Sequence, residues 1–206
     1  MIELLTANTP NGQKISIMLE EIGLEYKVTK ININKDDQFN PEFRKISPFS
    51  KIPVIKDGEI SVFESGAILI YLGEKSEKFY DKSERLAINQ WLMGQMAYVG
   101  PMLGQHHQFH HYNSGKSKFG EERYFKIAKR IYEDLDERLA QSKYLARENY
   151  TIADIATFPW IARHEIHDIG LKNFKNLSRW YLDISKREAV IKGYDLLKRG
   201  EAVPGI

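Results

Sequence analysis

The chain has 206 residues, a net charge of +2 and no cysteine. That length suffices for one large domain or two small ones with a sizeable core. The near-neutral balance argues against a nucleic-acid binder. No apolar run approaches the ~18–20 residues of a membrane span, and the missing cysteines exclude a disulfide framework, a thiolate metal site and a protein thiol nucleophile.

The Met-Ile-Glu-Leu-Leu start lacks the basic opening of a signal peptide and runs straight into a strand, so a cytoplasmic location is expected. After the strand at 2–5, Thr9-Pro10-Asn11-Gly12 turns into a helix. Its apolar set Ile15, Met18, Leu19 and Ile22 has helical spacing, and Gly23 suits its stop. Such a turn sets polar side chains beside backbone N–H groups at a helix N-terminus, which favours an anion. If that anion is a thiolate, the turn is an active site.

A second strand is expected at 26–33 and a short helix at Pro41–Ile46. Two strand-like runs, 52–56 and 59–63, flank Asp57-Gly58 and predict a hairpin. Residues 65–75 follow as a helix with Ile68, Leu69 and Leu72 on one side. The order β-α-β-α-β-β-α is a thioredoxin-type plan, an α/β domain expected to span 1–77. Residues 73–82 read as a linker. Helical patterns at 86–99, 121–139, 152–164 and 176–185, with no convincing strand, predict an all-α domain over 83–206. The tail after Leu197 is expected to be loosely ordered.

Five motifs invite a chemical reading. Lys51-Ile52-Pro53 precedes the hairpin; a cis bond there would leave the Ile52 backbone free to pair with an extended peptide. Ser65 in Phe63-Glu64-Ser65-Gly66 reads first as a helix N-cap. Alternatively, Ser65 and nearby N–H groups bind a carboxylate while Glu64 takes an amino group. Thr151-Ile152-Ala153-Asp154 fits a capping box and is assigned to folding. His106, His107, His110 and His111 have i,i+4 spacings, but no Cys, Asp or Glu within the run completes a metal shell. A polar cleft wall titrating near pH 6–7 is the expectation there. His164-Glu165-Ile166-His167 lacks the spacing of a zinc-protease helix.

Together these pieces resemble the glutathione transferase superfamily over nearly the whole chain. The implied fold is a thioredoxin-like N-terminal domain plus an all-α C-terminal domain. Thr9 to Lys14, Gln38-Phe39-Asn40-Pro41-Glu42-Phe43, Ile46-Ser47-Pro48 and Gly100-Pro101-Met102-Leu103-Gly104-Gln105 look like the nu-class bacterial enzymes. That class is related to the yeast nitrogen-regulatory prion protein. Its members are homodimers that act as glutathione-dependent disulfide reductases. The superfamily's usual catalytic Tyr, Ser or Cys is not evident in the first turn, which puts standard conjugation in doubt.

The resemblance implies roles residue by residue. Thr9 and Asn11 stand beside the glutathione sulfur. Gln38 contacts the peptide, Ile52 pairs its backbone with the cysteinyl unit, and Glu64 and Ser65 hold the γ-glutamyl end. Lys51 reaches the glycine carboxylate, and Arg123 reaches glutathione from the helical domain. Glutathione is then a cosubstrate, and no metal is expected. Because the chain has no thiol, both redox sulfurs of a disulfide reduction belong to bound glutathione. Conjugation to electrophiles or hydroperoxide reduction is the alternative within enzymes, with Phe109, Tyr112, the histidine run and Trp160 as candidates to line a second subsite. A non-catalytic glutathione-binding regulator is the alternative outside them.

Overall fold

The computed structural model describes every residue from Met1 to Ile206. The chain forms two compact units, one of Met1–Asp81 with Lys186–Val203 and one of Lys82–Ser185 with Pro204–Ile206.

The first unit holds strands β1 (Ile2–Thr6), β2 (Tyr26–Lys30), β3 (Val54–Asp57) and β4 (Ile60–Phe63) in the order β2-β1-β3-β4. β1 runs parallel to β2 and antiparallel to β3, and β3 is antiparallel to β4. Helices α1 (Pro10–Ile22) and α2 (Pro41–Ile46) lie between the strands and α3 (Ser65–Ser76) follows β4, which is the predicted α/β plan. Leu4, Val54 and Ile55 are fully buried in the sheet, as are Ile15, Met18 and Leu19 of α1 and Ile68, Leu69 and Leu72 of α3. Each such side chain contributes roughly 1.5–3 kcal/mol on removal from water. Gly58, the first residue of the hairpin loop, has φ 62, at the position where a type II′ turn places glycine.

β2 ends earlier than expected. Ile31 still donates to the Thr6 carbonyl at 2.8 Å, but the Asn32 N–H goes to the Asp37 carboxylate at 2.8 Å. The chain then leaves the sheet in two short 3₁₀ turns, Ile33–Lys35 and Asp37–Phe39.

The second unit is all-helical. α4 (Arg85–Gly94) and α5 (Gly100–His106) each continue into π-type turns, Gln95–Val99 and His107–Tyr112. α6 (Lys118–Gln141), α7 (Ile152–Ile161), α8 (His164–His167) and α9 (Lys175–Ser185) complete it. Every residue of α7 is buried, which makes it the unit's central helix. The Thr151–Asp154 capping box forms as read, and Asp154 takes more than its own cap. Its Oδ2 accepts from Thr151 N and its Oδ1 from Leu145 N and Trp180 Nε1, all within 3.0 Å. Burial pushes its carboxyl up to about 6, against these hydrogen bonds, which favour the ionised form.

The final helix, α10 (Glu188–Tyr194), lies with the first unit and packs along α1. A Cβ on Gly193 would come within 2.5 Å of the Ile17 Cα, so the two backbones meet directly there. Ser16 Oγ donates to the Gly193 carbonyl at 2.6 Å. This second contact explains why α1 is buried on nearly all sides, from Gly12 to Leu19. Beyond Leu197 the backbone is irregular but tied down. Both Glu201 carboxylate oxygens accept from Asn8 Nδ2, at 2.6 and 2.7 Å, next to the turn that opens α1. No helix is long and apolar enough to cross a membrane.

Candidate functional site

The start of α1 is built by its cap. Thr9 sits in extended backbone (φ −136, ψ 159), and its Oγ1 accepts the Gly12 N–H at 3.2 Å. Pro10 at the first helical position has no N–H to satisfy. The Gly12 N–H is therefore committed to the cap, one donor fewer for an anion than a bare helix start offers. None of the chain's acceptors takes the Thr9 hydroxyl hydrogen, so that group remains a donor. A Cβ at Gly12 would lie 2.4 Å from the Ala7 carbonyl oxygen, which is why the turn is so tight.

Asn11 faces a cavity of about 130 Å³ that also takes in Ser47, Lys51, Ile52, Glu64 and Ser65, with Phe49 and Phe63 at its edge. Three loops meet there, so residues separated by more than fifty positions converge on one small space. Ser47 holds the middle loop. Its hydroxyl donates to the Lys51 carbonyl at 2.7 Å and accepts the Lys51 N–H at 3.0 Å. The Ile52–Pro53 peptide is cis. The registers of β3 begin at Val54, so Ile52 stands outside the ladder, where it lines the cavity.

Glu64 occupies the cap position of α3 with φ 69 and ψ 117, a left-handed region that side chains rarely enter. Such a conformation costs on the order of 1–3 kcal/mol and persists only where its surroundings demand it. Glu64 rather than Ser65 is thus the residue at the helix cap, and its side chain makes no capping bond. Ser65 is buried and accepts a hydrogen bond from Lys14 Nζ at 3.3 Å. The plain N-cap reading of Ser65 is replaced by this side-chain pair.

Lys14 is the residue sequence reasoning left unused. It is 1% exposed, and burial holds its ammonium well below the usual lysine range, with the Glu64 charge acting in the opposite sense. One signal was available: a lysine inside the apolar repeat of α1 breaks the pattern. Ser47, two residues before Phe49 in a Ser-Pro segment, carried the weaker signal of a side-chain turn.

The remaining expected site residues lie elsewhere. Gln38 does not line this cavity; its Nε2 folds back onto the Ile33 carbonyl at 3.4 Å and Asp36 Oδ1 at 3.5 Å. Arg123 is an exposed residue of α6 in the second unit. A larger concavity of about 1390 Å³ lies along the end of α1, β2 and residues 191–202, and holds none of the residues that open α1 and α3.

The histidine run divides: His110 is half-buried and His111 exposed, whereas the first two histidines do not form a cleft wall. His106 and His107 are buried, and Trp160 stacks on His107 with ring centroids 5.8 Å apart. His107 Nε2 lies 2.8 Å from His167 Nε2, and His167 Nδ1 lies 2.6 Å from the Tyr132 hydroxyl. Burial pushes the His107 imidazole down to about 4, out of the expected pH 6–7 range, and lowers His106 and His167 as well. Phe109 stacks on Tyr124 at 5.2 Å. No group of three or more His, Cys, Asp or Glu is placed to hold a metal ion.

A thioredoxin-like unit with a polar cavity at two helix starts, followed by a helical unit, defines the architecture of glutathione-binding transferases. The glutathione S-transferase N-terminal domain matches residues 2–74 and the C-terminal domain residues 101–188. The chain is 44% identical over 207 residues to the disulfide-bond oxidoreductase YfcG of Escherichia coli, covering 96% of this chain and 95% of that one. A glutathione transferase of Pseudomonas putida, solved with one glutathione disulfide per subunit, superposes with a TM-score of 0.89 at 40% identity, over 95% of this chain and 91% of that one. One from Burkholderia graminis, with two glutathione molecules per subunit, has a TM-score of 0.89 at 37% identity, over 97% and 89%. The chain belongs to the glutathione S-transferase family.

Proposed function

We propose that this protein is a glutathione-dependent disulfide-bond reductase in which the redox chemistry belongs entirely to bound glutathione. The observation that carries this reading is the convergence of Asn11, Lys51, Ile52, Glu64 and Ser65 on one cavity in a chain without cysteine. The similarity to YfcG, and the glutathione disulfide and paired glutathiones of the two bacterial transferases, support it.

A free thiol has a pKa of about 8.5, and only the thiolate attacks a disulfide efficiently. Lowering it by one to two units takes roughly 1.4–2.7 kcal/mol, at ~1.36 kcal/mol per unit. The Thr9 hydroxyl hydrogen and the Asn11 carboxamide, aided by the positive end of α1, supply that. In the first step the glutathione thiolate attacks one sulfur of the substrate disulfide, forming a glutathionyl mixed disulfide. The other sulfur leaves as a thiolate and takes a proton. A second glutathione thiolate then attacks the glutathionyl sulfur, releasing the second substrate thiol and leaving glutathione disulfide. Two electrons pass from two glutathiones to the substrate, and the protein stays redox-silent.

In this reading Glu64 takes the γ-glutamyl ammonium and Ser65 its carboxylate. Ile52 pairs its backbone with the cysteinyl unit, and Lys51 meets the glycine carboxylate. Gln38 contributes by exchanging its two long local hydrogen bonds for the peptide, and Arg123 approaches from the helical unit. We place the protein in the cytoplasm as a homodimer. The exposed Phe49, whose ring meets that of Phe63 edge-on at 6.4 Å, is a natural apolar anchor for a second copy.

The test is reduction of 2-hydroxyethyl disulfide by glutathione, with chlorodinitrobenzene and cumene hydroperoxide run beside it. Disulfide reduction should exceed the other two and fall in Thr9→Ala and Asn11→Ala. Wild-type rates in both variants would remove the turn from the mechanism. Glutathione binding without turnover of any of the three substrates would favour a non-catalytic role.

A further inference from the structure

β2 is an outer strand of the four-stranded sheet, with β1 on one side and no strand on the other. Its pairing with β1 fixes which backbone groups are used. Ile2 donates to the Glu25 carbonyl at 3.4 Å, and Ile31 donates to the Thr6 carbonyl at 2.8 Å. Along a strand the N–H and C=O groups of successive residues alternate between its two edges. The odd-numbered residues of this segment therefore serve β1, and Tyr26, Val28 and Lys30 turn their N–H and C=O groups outward.

Those three residues border the concavity of about 1390 Å³ at the end of α1, together with the apolar side chains of Leu24, Ile191, Leu196 and Leu197. The Tyr26 hydroxyl donates to Glu20 of α1 at 2.9 Å, so Tyr26, Val28 and Lys30 share the helix-facing side of the sheet. Lys27 and Thr29, on the other side, both reach Glu3. A strand laid against β2 thus meets main-chain partners at three residues and apolar side chains on its helix-facing side.

Most charges around this concavity are already engaged within the chain. Tyr26 holds Glu20, the Arg199 and Gly200 N–H groups hold Asp195, and Asn8 holds Glu201. Lys27 and Lys192 pair with Glu3 and Glu188. Lys30 and Lys198 remain as unpaired cations and Glu25 as an unpaired anion. Glu25 precedes β2 and Lys30 ends it, so the open edge runs from a negative end to a positive one. The β2 of a second copy would crowd its own Lys27 and Lys30 against this pair, the device by which natural edges keep their own kind away.

We propose that the outer edge of β2 is a docking site for an extended peptide segment of another protein, which adds antiparallel to β2 as a fifth strand. The segment carries apolar residues across from Tyr26 and Val28, an acidic residue across from Lys30 and a basic one across from Glu25. Main-chain hydrogen bonds supply its affinity and the alternate side chains its register. None of the residues that open α1 and α3 takes part, so the proposal stands apart from the glutathione reading.

The experiment is fluorescence anisotropy with an end-labelled Glu-Thr-Val-Thr-Val-Lys peptide, which sets its first residue across from Lys30 and its last across from Glu25. Methylating the amide nitrogen of the first valine, which meets Val28, should weaken binding about tenfold or more, as for a carbonyl left unmet. Methylating that of the following threonine, which faces away, should change it little. Exchanging the terminal Glu and Lys should weaken binding about threefold or more, and Lys30→Glu should erase that preference. Val28→Pro removes an outward N–H, which an edge strand accommodates, and should abolish binding with thermal unfolding little changed. Because the methylated peptides are tested on the wild type, they decide the matter even if Val28→Pro folds poorly. On binding, amide exchange should slow at Tyr26, Val28 and Lys30 and stay as it was at Lys27 and Thr29. No binding, equal binding of the two methylated peptides, or slowed exchange away from β2 overturns the proposal. Self-association of the wild type that Val28→Pro abolishes gives the edge to a second copy and overturns it as well.

Discussion

Thr9 Oγ1 accepts the Gly12 N–H at 3.2 Å, so one side chain both starts α1 and keeps its own hydrogen for a ligand. The two duties separate by substitution. Thr9→Ala loses the cap, about 1 kcal/mol, and also the donor to a thiolate. A charge-assisted bond of ~1.5–3 kcal/mol corresponds to roughly a 10- to 150-fold fall in kcat/KM. Thr9→Ser should restore both. The pH–rate profile separates them further, because loss of the donor moves the thiolate limb to higher pH and loss of the cap does not.

Gly193 meets the backbone of Ile17, where a Cβ would lie 2.6 Å from the Ile17 nitrogen. Backbone cannot yield as a flexible side chain does. Gly193→Ala should destabilise the first unit by roughly 1–3 kcal/mol, or about 2–4 °C in Tm per kcal/mol at this chain length. Thermal unfolding measures it, and an unchanged Tm would show that α10 can slide along α1.

His107 is held neutral down to about pH 4 by burial. An unfolded histidine takes its proton near pH 6.5. Between these values the unfolded state binds more protons, so stability rises with pH across the window. The contribution is complete above about pH 6.5 and disappears as pH falls through about 4, on the order of 3 kcal/mol. Denaturant titrations at a series of pH values should show this slope in the wild type and a shallower one in His107→Phe.

Asp154 serves four donors with two oxygens: Thr151 N and Oγ1 at one, and Leu145 N and Trp180 Nε1 at the other. Asparagine has one acceptor oxygen. Whichever way its amide turns, an NH₂ group faces a buried N–H. Asp154→Asn should therefore cost roughly 1–3 kcal/mol for each donor left unmet. Chemical denaturation checks this, and a loss below that of an ordinary surface change would mean the network tolerates the swap.

Much of the fold is legible because its causes are local. The repeat of Ile15, Met18, Leu19 and Ile22 defines α1 within two turns, and Thr151 and Asp154 are three residues apart. The run from Gly100 to Tyr112 reads poorly as helix, because glycine, proline and histidine are weak helix formers. Packing overrides that preference: His106 and His107 are buried, and a Cβ at Gly104 would lie 3.4 Å from Trp160. α10 is short, and its reason to be helical is the face it shares with α1.

The sequence by itself determined the strand and helix order, the caps and the residue types gathered at the starts of α1 and α3. Those signals lie within a few residues of one another, where backbone geometry makes them readable. Only the tertiary structure decided that Lys14 is buried against Ser65, that Ser47 pins the loop before Ile52, and that His107 meets His167 rather than a cleft. The Lys14 and His107 pairs span 51 and 60 residues of chain. Burial and its electrostatic consequences depend on what packs around a side chain, and no local pattern encodes that.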